Sequence, residues 1–341
     1  MANSFDMYTP KTIREVRDAW QPKKNFLTDL FFSTSDTVAT EEIMLEITKG
    51  GEHVAPFVTP LESGRPIVDR KTSTNLIKAP NIALSRTLGP KDYFVREAGM
   101  NFFGDYNPAQ RVGKRIAEIL ADQERYISNK EELMVSQFLT TGKVTSGTSE
   151  AAYEVDYGIE NMVTLESNDK WGATGVNPLV SLDKILAKAE ESGVIIKNVV
   201  MGLTAADKFM NSSEFKKDIL SRDLQSEFVK EVVRQYPGVV WLGTYKTYGV
   251  ELFRYSRKVI GYDGKEIQLM PTNMILGGST EGKILYAPVI NMGTSDVHMV
   301  KRFSDVDSPN KKTKNITTEA RPVLQPDDLS GYFNVIVCDA E

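Results

Sequence analysis

The sequence predicts an α+β fold with a projecting strand-rich segment, on three observations. Phe31 to Pro90 is broken by Pro56, Pro60, Pro66, Pro80 and Pro90, which exclude a helix and suit edge strands and turns. Gln110 to Phe138 contains no proline and, apart from Gly113, is built from good helix formers. From Val239 onward strand-like runs follow one another instead of alternating with helices, which argues against a doubly wound sheet.

The elements follow in order. Thr9-Pro10 opens a short helix with Ile13, Val16, Ala19 and Trp20 on one face, and Pro22 ends it. An apolar cluster comes next: Phe26, Leu27, Leu30, Phe31 and Phe32. Strand-like runs cover Glu42 to Ile47 and Val54 to Val58, then a basic tip holds Arg65, Arg70 and Lys71, and Asn75 to Pro80 returns. A lone two-stranded ribbon is marginal in water. Its apolar face therefore needs the body of its own chain or a neighbouring one.

After Asn107-Pro108, Ile116, Ile119, Leu120, Ile127, Leu133, Val135 and Phe138 form an apolar stripe, and Gly142 is a suitable stop. Arg111, Lys114, Arg115, Glu118, Asp122 and Glu124 line the other faces. At 1.5 Å per residue such a helix is roughly 45 Å long, a spine for the fold. Tyr153 to Leu165 then alternates as a strand, with Tyr153, Val155, Tyr157 and Ile159 on one side. Leu179 to Ala189 reads as a helix stopped by Gly193, Val194 to Met201 as a strand, and Thr204 as the cap of a helix reaching Phe209. Phe215 to Val233 reads as mostly helical. Val239 to Tyr245, Val250 to Tyr255, a hairpin turning at Asp263-Gly264, Met274 to Leu276, Ile284 to Tyr286 and Tyr332 to Cys338 read as strands. Ser304 to Glu319, polar and holding Lys311, Lys312 and Lys314, reads as a surface loop.

Composition narrows the function. The 341 residues, 41% hydrophobic and 26% charged, are ordinary for one large or two average globular domains. A net charge of −5 speaks against a basic nucleic-acid-binding face, though an acidic surface can still face packed DNA. Cys338 is the single cysteine, so no intrachain disulfide or two-cysteine metal site exists, and its apolar neighbours Val335, Ile336 and Val337 predict a buried thiol in a cytosolic chain. The first residues lack the charged and apolar regions of a signal peptide, and no apolar run is long enough to span a membrane.

Chemistry is sparse. His53 lies beside Gly50-Gly51, and His298 follows Asp296 by two residues without a nucleophile elbow nearby; both read as structural. Gly277-Gly278-Ser279-Thr280-Glu281-Gly282-Lys283 matches the first seven positions of a phosphate-binding loop. Ile284 stands where the Mg²⁺-binding hydroxyl belongs, and the following residues read as a strand, where a phosphate loop needs a helix N-terminus. A glycine-rich strand connection is the better reading, and no catalytic residue, cofactor or metal is expected. Glu41-Glu42, Glu131-Glu132 and Glu190-Glu191 are expected on solvated faces. Arg65, Arg70 and Lys71 suit acidic groups on an adjacent subunit, with Glu118, Asp122 and Glu124 as partners, or else a solvated tip. Trp20, Trp171 and Trp241 read as core or interface anchors, and Phe31 and Phe32 as interface candidates at the foot of the ribbon.

Several of these segments, in this order, resemble one family. Met7-Tyr8-Thr9 with its helix, Phe26 to Phe32, Val58 to Gly64 and Leu269 to Gly277 are similar to stretches of the major capsid protein E of lambda-like tailed phages. The resemblance runs over almost the whole chain, and in about 171–236 it rests on helix–strand pattern alone. It implies the capsid fold named after phage Hong Kong-97: an N-terminal arm to about Thr40, an extended loop at 41–93, and a peripheral domain at 94–170 with the spine helix at about 108–140. An axial domain at 171–300 and a closing C-terminal segment at 301–341 complete it. It implies a structural subunit whose partner is itself, in hexamers and pentamers of an icosahedral head around double-stranded DNA bound without sequence specificity. A decoration protein, a scaffold and a portal are further partners in such families, in a virion assembled in the host cytoplasm. Some relatives crosslink subunits through Lys and Asn; Lys71 and Asn75 lie in the loop, though lambda-like members are not expected to do so. A nucleotide-binding protein and a tail-tube or adaptor protein are the alternative readings.

Overall fold

In the computed structural model, residues 24–49, 71–94, 108–146, 153–159, 161–166, 168–191, 195–212, 215, 219–220, 235–278, 280–291, 296–310, 312–327 and 329–339 are described. The axis of the fold is a helix of 34 residues, Pro108–Thr141, about 50 Å long at the usual rise. Gly142 ends it at φ 69, the left-handed position that glycine adopts most readily, and its N–H donates to Phe138 O at 2.9 Å.

The two halves of this helix serve different cores. Val112, Ile116, Ile119 and Leu120 pack with Leu88 and Ile316. Leu88 and Ile316 belong to a three-stranded antiparallel sheet of Phe303–Asn310, Thr313–Ala320 and Ile82–Leu88. The surface loop expected over Ser304 to Glu319 is thus a hairpin. Its inward residues include Ser304 and Thr318, so a search for apolar alternation passes over it. Met134, Val135, Phe138 and Leu139 pack instead into the largest core, with the short helix Phe26–Phe31 and the sheet of Thr34–Thr37, Lys283–Tyr286 and Pro322–Gln325. In that sheet Thr34–Thr37 runs parallel to Lys283–Tyr286, and Pro322–Gln325 runs antiparallel to it.

The remaining body is a seven-stranded mixed sheet. Its order is Met162–Thr164, Phe333–Ile336, Met274–Gly277, Asn198–Met201, Val250–Tyr255, Val239–Tyr245 and Ile219–Leu220. Helices Pro178–Glu191 and Leu203–Met210 bury Leu179, Leu182, Leu186, Ala205, Ala206 and Phe209 against it. Trp171, 1% exposed, sits under them beside Phe209. Thr204 lies inside its helix, and Gly202 holds the N-cap without a side-chain cap. The cause is close packing: a Cβ at Gly202 would lie 2.0 Å from Pro271 O. Ile219–Leu220 is a strand within the segment expected to be helical, and residues 221–234 lie outside the described set. The hairpin at Asp263-Gly264 forms as expected, with Gly264 at φ 79. No helix among the described residues is long and apolar enough to cross a membrane.

Candidate functional site

The strands Glu42–Lys49 and Lys71–Lys78 form a two-stranded ribbon. These strands pair antiparallel from Glu42 opposite Lys78 to Lys49 opposite Lys71. Its foot is covered by the chain's own body. Ile43 is 3% exposed and Ala79 3%, with Ile77 packed beside them, whereas Leu76 is 60% exposed.

Arg321 fastens both legs of the ribbon. Its guanidinium donates to Glu41 Oε1 at 2.8 Å on the outgoing leg and to Ala79 O at 3.2 Å on the returning one. A third bond, to Pro288 O at 3.1 Å, holds it to the link between strands Lys283–Tyr286 and Val289–Asn291. Arg321 and Lys78 hold the Glu41 carboxyl below its ordinary range, the Arg321 hydrogen bond contributing most. A planar donor fork is suited to bridging three acceptors in one plane, which a lysine cannot do. Arg321 sits between two strands, Thr313–Ala320 and Pro322–Gln325, so its position is set by the sheet and not by a loop.

Behind the foot, the long helix carries a polar girdle between its two apolar halves. Gln123 donates to Leu84 O at 3.1 Å and Ile316 O at 2.8 Å, and accepts from Thr318 Oγ1 at 2.8 Å. Arg302 donates to Glu124 at 3.1 Å and Glu131 at 2.6 Å, and Tyr286 OH donates to Glu131 at 2.8 Å. Burial works against the charge on Arg302, but together Glu131, Tyr286 and Glu124 hold its proton affinity above the ordinary arginine value. Glu132, 0% exposed, accepts from Leu27 N and Thr28 N at 2.9 Å each, from Thr28 Oγ1 at 2.7 Å and from Tyr255 OH at 2.8 Å. It caps the helix Phe26–Phe31, whose own N-cap residue, Asn25, makes no capping bond. Glu131 and Glu132 are therefore buried, not solvated as expected, and Glu124 is 9% exposed. Their position held the signal: Glu131 is four residues from both Ile127 and Val135, inside the apolar stripe.

The other anticipated residues fall as follows. Phe31 and Phe32, expected at an interface, are 0% and 2% exposed in their own core. Phe32 sits 5.5 Å from Phe138 and 6.3 Å from Tyr332 between ring centroids. Glu118 pairs with Arg115 at 2.9 Å, and Asp122 with Arg125 at 2.9 Å and Arg86 at 3.6 Å, so both are engaged within the chain. Lys71 closes the described part of the ribbon opposite Lys49. Arg65, Arg70, Trp20 and His53 lie outside the described residues, as does the run Val54 to Val58. Trp241 is a core residue whose indole N–H donates to Glu251, and His298 stacks on Phe303 at 4.4 Å. Cys338 is buried.

The glycines of the phosphate-loop look-alike have packing reasons. A Cβ at Gly277 would meet the Phe333 ring at 2.5 Å, one at Gly278 the Tyr332 ring at 2.4 Å, and one at Gly282 the carbonyl of Phe31 at 2.7 Å. A strand, Lys283–Tyr286, follows them where a phosphate site needs a helix. The buried carboxylates Glu131 and Glu132 each hold elements together through their hydrogen bonds.

Comparison with known proteins agrees with this architecture. Over 259 residues the chain is 24% identical to the major capsid protein of Escherichia phage lambda, covering 74% of this chain and 75% of that protein. It is 23% identical over 256 residues to the major capsid protein of Enterobacteria phage P21, covering 74% of each. A crystal structure described as the capsid protein of an E. coli CFT073 prophage superposes with a TM-score of 0.69 at 18% identity, over 96% of each chain. That likeness is one of fold, and the fold is the Hong Kong-97 capsid type. Residues 11–329 match the model of the phage major capsid protein E family, and the chain belongs to that family.

Proposed function

We propose that this chain is the repeating subunit of an icosahedral phage head, assembling through hexamers and pentamers into a shell around double-stranded DNA. The observation that carries the reading is the family match across residues 11–329. A ribbon anchored at its foot by Arg321 and bare at Leu76 supports it, because such a ribbon needs a second surface to cover it. On this reading residues 1–40 are the arm, 41–93 the loop laid over a neighbouring copy, 94–170 the peripheral domain, 171–300 the axial domain, and 301–341 the segment that completes the body. The subunit acts by assembly, not by turnover. The DNA is held without sequence recognition, in keeping with the net charge of −5. Scaffold, portal and decoration proteins are the further partners, and the virion is its destination after assembly in the host cytoplasm.

Expression of the chain, with a scaffold if one is required, followed by negative-stain microscopy tests this. Closed shells or capsomer rings are the expected result. Open stacks of rings would favour a tail-tube role, and a monodisperse monomer under all assembly conditions would overturn the proposal.

A further inference from the structure

A second, smaller ribbon carries an apolar face that is exposed among the described residues. Val289–Asn291 pairs antiparallel with Asp296–His298, placing Val289 opposite His298 and Ile290 opposite Val297. Side chains alternate across a strand. Val289, 2% exposed, and His298, stacked on Phe303, face the body. Ile290 and Val297 share the outward face at 51% and 59% exposure, and Met299, two residues on, is 56% exposed. Apolar side chains grouped in this way mark an interaction surface more than scattered ones do. Asp296, also exposed, stands at the end of the paired region.

A matching acceptor lies elsewhere on the chain. Between helix Pro178–Glu191 and the sheet edge at Met162–Thr164 runs a groove of about 230 Å³. Its floor is Val163, Leu165, Phe333 and Val335, with Ile185 on the helix side. Lys184 and Lys188, one helical turn apart, also line it and are exposed; Asp169 is the single acid among the lining residues. An apolar floor with a mainly cationic rim fits an apolar strand that carries one acid.

We propose that the outward face of the Val289–His298 ribbon of one copy seats Ile290 and Val297 in this groove of a second copy, with Asp296 against Lys184. Apolar side chains enter an apolar trough, and an exposed carboxylate meets an exposed ammonium at the rim. Donor and acceptor occupy different places on the same chain. The contact is therefore heterologous and propagates head to tail, the kind of interface that closes into a ring when the rotation permits. The inference rests on the shell reading, since it takes the partner to be another copy of this chain.

The test uses the full chain under the conditions in which the parent assembles. Val297→Asp is expected to keep the parent's circular dichroism and melting temperature but to lose rings and shells in sedimentation and micrographs. Asp296→Lys and Lys184→Glu are each expected to lower the assembled fraction several-fold, and the double reversal to restore it. The buried Cys338 leaves a clean background for a crosslink. Ser181→Cys combined with Val297→Cys is expected to give a ladder of disulfide-linked multimers on mild oxidation, and neither single variant to give one. Normal shells from Val297→Asp, or assembled double-cysteine particles without a ladder, would overturn the inference and leave the shell reading intact. A parent chain that forms no oligomer would overturn both.

Discussion

Glu132 does the work of a capping residue from 104 positions away in the chain, at Thr28. Four donors converge on its carboxylate, and no water is needed to satisfy it. Truncating a buried, fully bonded charge leaves its donors unpaired, so Glu132→Ala should destabilise the unassembled subunit by about 3 kcal/mol in urea denaturation, with Glu132→Gln milder. Arg302 is the complementary case. Arg302→Ala would strand Glu124 and Glu131 in the interior, a loss of about 3–5 kcal/mol by the same measurement. Asp29 offers a pH signature. Burial is the largest influence on it and raises its pKa above 3.8, although Tyr236 OH, donating at 3.1 Å, and Lys24 act the other way. Across the window from 3.8 up to the raised value, the folded chain binds more protons than the unfolded one, so Asp29 makes stability fall as pH rises. Asp29→Asn should therefore raise the melting temperature at neutral pH, and the difference should vanish below the unfolded pKa. None of these roles was legible from residue type alone. A glutamate beside a glutamate reads as surface charge until its place in the apolar stripe is counted.

Elements built from apolar alternation were readable, and those built from polar cores were not. Val239–Tyr245 and Val250–Tyr255 match their expected bounds, because residues 239, 241, 245, 250, 252, 253 and 255 face cores as apolar side chains. The long helix, expected at about 108–140, spans Pro108–Thr141 for the same reason. The hairpin Phe303–Ala320 escaped because its inward faces are partly hydroxyls. Ser304 and Thr318 share a hydrogen bond at 3.0 Å, and Thr318 reaches Gln123. A buried polar pair is as well packed as an apolar one but carries no hydrophobic signal. This makes Gln123 the pin between the long helix and the three-stranded sheet. Gln123→Met should lower amide-exchange protection over Thr313–Ala320 while leaving Asn198–Met201 unchanged, because the two regions belong to separate apolar clusters. At the helix end, Gly142→Ala should cost about 1–2 kcal/mol: φ 69 is strained for alanine, and its Cβ would press on Met162 Cε at 2.4 Å.

At the scale of the whole molecule, order along the chain was more informative than any single motif. Apolar cluster, ribbon, long helix, mixed body and closing strand follow one another in the order the sequence implies. The site was half legible. A ribbon was foreseen, but its clamp was not: Arg321 lies 280 residues from Glu41, and no local pattern joins them. Disabling that clamp should separate folding from assembly. Arg321→Ala is expected to leave both larger cores intact by circular dichroism while the Glu42–Lys78 ribbon loses amide-exchange protection and the yield of particles falls. Unchanged particle yield would show that the ribbon's foot is held by Ile43 and Ala79 alone.

The parallel pairing of Thr34–Thr37 with Lys283–Tyr286, backed by Pro322–Gln325, also has a bearing on synthesis. A ribosome makes the ribbon well before its mooring. Until residue 325 has left the exit tunnel, the strand leading into the ribbon has no complete sheet to join, and Arg321 cannot fasten either leg. A chain that ends before Arg321 lacks the clamp on both legs. A fragment that stops short of Pro322–Gln325 is expected to lack both the sheet beside Thr34–Thr37 and the clamp on the ribbon, and so to be left out of particles when co-expressed with the full chain.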